Sequence, residues 1–198
     1  ENRDVFYPSL TDAEYLNLPR YTNEADGHAW GGEIFINKNL SERWYGWLSV
    51  AYARTERRNK LTGEDFRYSY DQPVIINTVA NYQLTSSVDI GLKWRFQSGQ
   101  LITPLQYAEA DDDIAGLYNP VYGELNSRRL PAYHRLDVRL DKALTTASGW
   151  DLNLYAEVLN LYNRANVTGY QYENADYSDR EEVTDLPLIV SFGIKAAL

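Results

Sequence analysis

Three sets of residues in this chain could do chemistry. The run Asp111, Asp112 and Asp113 could hold Ca²⁺ through its carboxylate oxygens. Tyrosines Tyr107, Tyr118, Tyr122, Tyr170 and Tyr172 fall in polar stretches where their rings could grip a ligand. Arg135, Asp137, Arg139 and Asp141 recur at every second position. The aspartate run lacks the interleaved spacing and the glycine of a dedicated calcium loop, which favours a solvated acidic tip, and no other cofactor is implied. For the tyrosines, packing at an interface or inside a loop is an equal alternative. His28 and His134 stand far apart and in no metal-ligand spacing. No serine sits in a nucleophile-elbow pattern, so no catalytic residue is assigned and the expected role is binding, not bond making.

The elements that must position these residues are strands. From Ala132 to Lys142, Leu136, Val138 and Leu140 oppose Arg135, Asp137, Arg139 and Asp141, a period of two. In the run from Val88 to Gln97, Val88, Ile90, Leu92, Trp94 and Phe96 fill one face, and Asp89, Lys93, Arg95 and Gln97 lie on the other. On a helix those charges would be spread around the axis. Similar alternation predicts strands over 30–38, 44–54, 73–83, 150–162 and 188–198. The first strand opposes Ile34 and Ile36 to Glu33, Phe35 and Asn37, whereas the second is apolar on both sides.

Seven strands follow, eight at most, joined by connections that alternate short and long. Asn39–Glu42, Thr85–Ser87 and Ala143–Gly149 read as tight turns. Thr55–Asp71, Ser98–Pro131 and Arg164–Leu186 read as long loops, a length that usually marks function or disorder. Residues 1–28 are polar and irregular, with a short strand near Val5–Tyr7 or Tyr21, so the chain divides into a lead-in over 1–28 and strands over 29–198. If the Ala143–Gly149 hairpin is centred on Thr146, Arg135 lies across from Glu157 and Arg139 across from Asn153. That polar ladder would be worth about 0.2–1 kcal/mol per pair.

Composition narrows the partners. With 28 acidic and 19 basic residues the net charge is -9, which removes the electrostatic footprint of a nucleic-acid binder. Cysteine is absent, excluding disulfides and thiolate metal sites without deciding compartment. Methionine is absent too, so a chain cut from a longer one or already processed is expected; residues 1–20 lack the basic start and apolar core of a secretion signal. No apolar run approaches the ~20 residues of a membrane helix, although barrel strands would not show one. Aromatic residues make up 14% of the chain, 17 of them tyrosine, which suits both membrane girdles and binding loops. Short turns on one side and long loops on the other, with ~10-residue alternating strands, is the pattern of an outer-membrane barrel. A soluble sandwich more often has short turns at both ends.

Six stretches in order resemble the TonB-dependent receptors of Gram-negative outer membranes: Gly32-Glu-Ile34 with Lys38, Tyr70-Asp-Gln-Pro73, Arg95-Phe-Gln-Ser-Gly99, Arg129-Leu-Pro-Ala-Tyr-His-Arg-Leu-Asp137, Asn160-Leu-Tyr-Asn-Arg-Ala-Asn-Val167 and Leu186-Pro-Leu-Ile-Val-Ser-Phe-Gly-Ile194. Together they cover roughly residues 30–198. The resemblance implies an all-β fold: an antiparallel transmembrane β-barrel segment of about 7–8 strands, with short periplasmic turns and long extracellular loops. It would be an incomplete barrel without its plug, the C-terminal third of a barrel of about 22 strands. It also implies active uptake of a scarce ligand such as a siderophore, vitamin or glycan. The tyrosines would then be extracellular, and Arg135, Asp137, Arg139, Asp141, Asn153 and Glu157 would face the lumen. The implied partners are outer-membrane lipid, the rest of the receptor chain with its plug, the inner-membrane TonB energy-coupling system and the barrel-assembly machinery. That machinery reads a C-terminal signal, here Phe192, Gly193 and Leu198, where family members usually end on an aromatic residue. Two other classes fit the residues: a small standalone outer-membrane barrel with a structural or adhesive role, and a secreted carbohydrate-binding β-sandwich.

Overall fold

A computed structural model describes residues 25–197; the expected lead-in up to residue 24 and the terminal Leu198 lie outside the described residues. The chain is all-β. Its strands are β1 (Ala25–Ser41), β2 (Trp44–Asn59), β3 (Asp65–Arg67), β4 (Val74–Thr85), β5 (Val88–Gln97), β6 (Leu101–Ile102), β7 (Leu105–Ala110), β8 (Tyr118–Tyr122), β9 (Arg128–Arg129), β10 (Tyr133–Thr145), β11 (Asp151–Leu159), β12 (Val167–Tyr172), β13 (Arg180–Thr184) and β14 (Ile189–Ala197). Seven long strands form one antiparallel sheet in the order β1-β2-β4-β5-β10-β11-β14, with β3 added beside β2. The path is a meander in which each long strand pairs with the next one along the chain. The sheet is open, with β1 and β14 at its edges.

Direct pairing places the alternating residues on common faces. Ile36 lies opposite Leu48, Leu48 opposite Thr78, Thr78 opposite Trp94 and Trp94 opposite Leu136. Further along, Ala80, Leu92, Val138, Val158 and Val190 form a second row. Across the middle of the sheet, even-numbered residues therefore make one continuous face that is apolar apart from Lys38. No second layer of the described chain covers it: Ile34, Leu92, Val190, Phe192 and Ile194 are all exposed, Phe192 to 76%. Among the described residues, Leu101 and Leu130 are the buried hydrophobic ones, and they sit at the base of a long connection.

The three short turns share one end of the sheet. Glu42, at φ +57, reverses the chain between β1 and β2. The β10–β11 turn is closed by Thr146 N–H donating to the Trp150 carbonyl at 2.8 Å, with Gly149 at φ +87, a left-handed conformation that glycine adopts freely. This turn corrects the expected register. The hairpin is centred on Ser148, because β10 runs on to Thr145 and pairs it with Asp151. Arg139 therefore faces Glu157, and Asn153 faces Ala143; Arg135 has moved beyond the end of the β10–β11 ladder.

Other boundaries also shift. β1 begins at Ala25, inside the expected lead-in, because Ala25–Ala29 continue the ladder against Thr55–Asn59. The three long connections are structured where the sequence predicts loops. The first carries β3, the second a β7–β8 hairpin above the β6–β9 pair, and the third the β12–β13 hairpin.

Candidate functional site

On the odd-numbered face of β10, charges pair along the strand. The Arg135 guanidinium grips Asp137 through two bonds of 2.9 Å, and Arg139 grips Asp141 at 2.8 and 2.9 Å. Residues two apart on a strand share a face, so both pairs form within one element. Glu157 stands across from Arg139 without replacing Asp141 as its partner in the fork, and Asn153 lies between Ala143 and Lys195. The expected cross-strand ladder is thus an intrastrand one. Arg139 also lies over the Tyr155 ring at 3.8 Å, and that ring occupies the space above Gly193, where a Cβ would collide with it. The same face carries an open groove of about 450 Å³ near the short-turn end, where Tyr45 and Trp47 are flanked by Asn37 and Asn81.

Two buried polar knots tie the long connections to the sheet. In the first, Asp71 is 2% exposed; its carboxylate accepts from Arg129 at 2.9 Å, Arg54 at 3.3 Å and the Thr55 N–H at 3.0 Å. Arg129 also donates to the Gly99 carbonyl at 2.6 Å. In the second, the fully buried Asn160 donates through Nδ2 to the carbonyls of Arg164 and Leu186, while its Oδ1 accepts the Arg164 N–H. Its own N–H donates to Asp137 at 3.0 Å. Asn166 clamps His134 through both backbone groups at 3.0 Å, and the Tyr133 hydroxyl donates to Asp185 at 2.9 Å. The Leu186 N–H and this hydroxyl hold the Asp185 carboxyl below its ordinary range against the opposing effect of burial. Asn160 and Asn163 sit at φ +53 and +49, the left-handed region that asparagine tolerates better than most residues.

The loop tyrosines separate into two groups. Tyr118 and Tyr122 alternate onto one face of the β7–β8 hairpin, and Tyr107, paired with Val121, lies on the other. Tyr170 and Tyr172 share a face of β12–β13; Arg180 lies over Tyr170 at 4.6 Å, and Tyr172 packs against Tyr177 at 5.6 Å. Asp111 has turned its oxygens toward its own loop, accepting from the N–H groups of Asp113 and Ile114 and from Asn119. Those bonds, the Asn119 one foremost, hold its carboxyl below the usual range. Asp112 and Asp113 follow it on the exposed tip. Among the described residues no group of three His, Asp or Glu side chains is placed to hold a metal ion.

The apolar face ends in aromatic rows. At the long-loop end Trp94, Phe96, His134 and Tyr162 form a ring series with centroid spacings of 6.1, 6.5 and 5.4 Å, and Trp30 packs on Tyr52 at 5.7 Å. His134 Nδ1 meets the Tyr162 hydroxyl at 2.7 Å, and His28 pairs with Glu56 at 3.2 Å, so both histidines are engaged in packing and pairing. At the short-turn end stand Trp44, with Lys38 over its ring at 4.4 Å, and Tyr82. No family model, no curated protein and no solved structure matches this chain.

The residues that sequence reasoning missed are Asp71, Asn160, Asn166 and Asp185. Two of the motif stretches already contained the first three of them, but buried polar residues that brace loops leave no periodic signal. Gly193 seats the Tyr155 ring, and Phe192 beside it is exposed on the apolar face.

Proposed function

We propose that this chain is the C-terminal barrel portion of an outer-membrane receptor of the TonB-dependent class, which takes up a scarce ligand. The observation that carries the reading is the composition of the even-numbered face. From Ile34 to Leu40, Trp44 to Val50, Ile76 to Tyr82, Ile90 to Phe96, His134 to Leu140, Leu152 to Val158 and Val190 to Ala196, it holds no acidic residue. Aromatic rows bound it, and no other layer of the described chain covers it. Trp44 and Tyr52 stand eight residues apart on β2, about 26 Å at about 3.3 Å per residue. That length suits the apolar band of a tilted barrel strand.

A single sheet with one face this apolar is unstable in water, whereas lipid would solvate it and leave the charged face to a wet interior. Long connections braced by buried knots would present the tyrosines and acidic tips on the external side. Binding and passage, with no covalent step, is the function this arrangement serves.

The test is fractionation and uptake in a Gram-negative host carrying the whole gene. The protein is expected in the detergent-soluble outer-membrane fraction. Its deletion should abolish uptake of one ligand, and collapse of the inner-membrane proton gradient should do the same. Release of the protein in soluble form without detergent would favour the carbohydrate-binding sandwich. Membrane residence with uptake unaffected by the gradient would favour a structural or adhesive barrel.

A further inference from the structure

Charged and neutral residues are segregated on the odd-numbered face. Lys93, Arg95, Arg139 and Asp141 lie on β5 and β10. Over Glu33–Asn39 of β1, Tyr45–Ala53 of β2 and Ile75–Thr85 of β4, Glu33 is the only ionised odd-numbered residue, and its carboxylate accepts from the Ser49 hydroxyl at 2.7 Å. The groove of about 450 Å³ lies in this neutral half, a volume within the roughly 300–1,000 Å³ of small-molecule sites. Tyr45 and Trp47 line it, both exposed, and Phe35 extends the platform with its ring centroid 6.0 Å from that of Trp47. A bulge shapes the rim: Lys38 pairs with Gly46 and Ser41 with Trp44, so Asn39 and Leu40 together oppose Tyr45. An extra residue of this kind re-aims side chains. Asn37 Nδ2 donates to Asn39 Oδ1 at 2.9 Å, which leaves an amide acceptor on Asn37 and amide donors on Asn39 without a partner among the described residues. On the other side of Tyr45, the Asn81 amide oxygen fills the space above Gly91, where a Cβ would come within 2.9 Å of it.

We infer that this groove binds a neutral sugar, with the pyranose ring on Tyr45 and Trp47 and its hydroxyls on Asn37, Asn39 and Asn81. The aromatic rings offer apolar faces to the C–H face of the sugar, and the amides offer both donors and acceptors to its hydroxyls. An ammonium ligand needs acceptors alone and would leave the Asn39 donors unmatched. An anion would find no cation in the lining other than Lys38, whose ammonium lies over the Trp44 ring at 4.4 Å on the opposite face. A peptide strand would find no free backbone edge, because β2 is paired by β1 on one side and β4 on the other. The site lies on strands at the short-turn end, away from the loop tyrosines, and it stands whether or not the sugar is carried across a membrane.

The test is a saturation-transfer NMR titration of the protein as its gene encodes it, in detergent, with maltose, cellobiose and lactose as probes. At least one should bind saturably, with the strongest transfer to the C–H protons of one ring face. Trp47→Leu keeps apolar bulk without the ring and should weaken binding about tenfold. Asn39→Leu, on the exposed bulge, should weaken it as well and keeps the test decisive if Trp47→Leu does not fold. Trp94→Leu, on the opposite face, should leave the affinity unchanged. No saturable binding by any of the three sugars overturns the inference, as does an affinity that survives both groove variants or falls equally in Trp94→Leu. The absence of cysteine allows a second measurement. A thiol introduced by Tyr45→Cys should react freely with a water-soluble reagent and be protected by the sugar; a thiol already shielded without sugar would show a segment of protein in the groove and overturn the inference too. Sugar binding in vitro without uptake of that sugar by cells would remove it from the transport role and leave this inference standing.

Discussion

Asp71 and Arg129, 58 residues apart, meet at 2.9 Å at the base of the longest connection, with the carboxylate 2% exposed. Removing one member of such a pair leaves a buried charge with too few partners. Arg129→Gln is therefore expected to destabilise the base of residues 98–131 by about 1–3 kcal/mol. Arg54→Gln, which removes a longer contact from a more exposed guanidinium, should cost less. Limited proteolysis within 98–131 reads the difference, and equal cleavage of both variants would contradict it.

Asn160→Ala removes two donors and an acceptor from a site with no solvent access, and alanine fits its left-handed backbone poorly. An orphaned buried polar group costs about 1–3 kcal/mol. Amide exchange across residues 160–188 should accelerate while β4 and β5 remain protected. A uniform change along the whole sheet would show that Asn160 does not act locally.

Asp185 supplies a pH dependence. Its folded-state carboxyl titrates below the ordinary value of 3.8, so its contribution is complete above that pH and is lost as pH falls below it. The β12–β13 hairpin is expected to loosen in that acid window, followed by amide exchange or tyrosine fluorescence. Asp185→Asn should abolish the dependence, and an unchanged profile in that variant would assign it elsewhere.

Val138 lies in the middle row of the apolar face. If lipid covers that row, Val138→Arg should cost about 2–4 kcal/mol in folding into phospholipid vesicles. Ser191→Arg, on the charged face, should cost far less. Reversal of that order would place the water on the other side.

The long strands were legible because alternation is a property of consecutive residues. β5 spans Val88–Gln97, matching the alternating run read from the sequence. The β7–β8 hairpin was hidden because its strands are short and Pro120 interrupts one of them, and β12 and β13 lie among turn formers. The β10–β11 register missed because it depends on where Gly149 allows the chain to reverse, and a shift of two residues in the turn centre moves every partner by four. The knots escaped for another reason: Asp71 and Arg129 are joined only by the folded sheet.

The pairing of Arg135 with Asp137 and of Arg139 with Asp141 inside β10 has a consequence for how such a sheet is made. A strand that neutralises its own charges needs no neighbour in place to do so. Its side-chain charges are paired before the next strand arrives, while its backbone N–H and C=O groups still need that neighbour. Cross-strand pairing would have coupled the desolvation of each strand to its neighbour's arrival; here β10 carries its counterions with it.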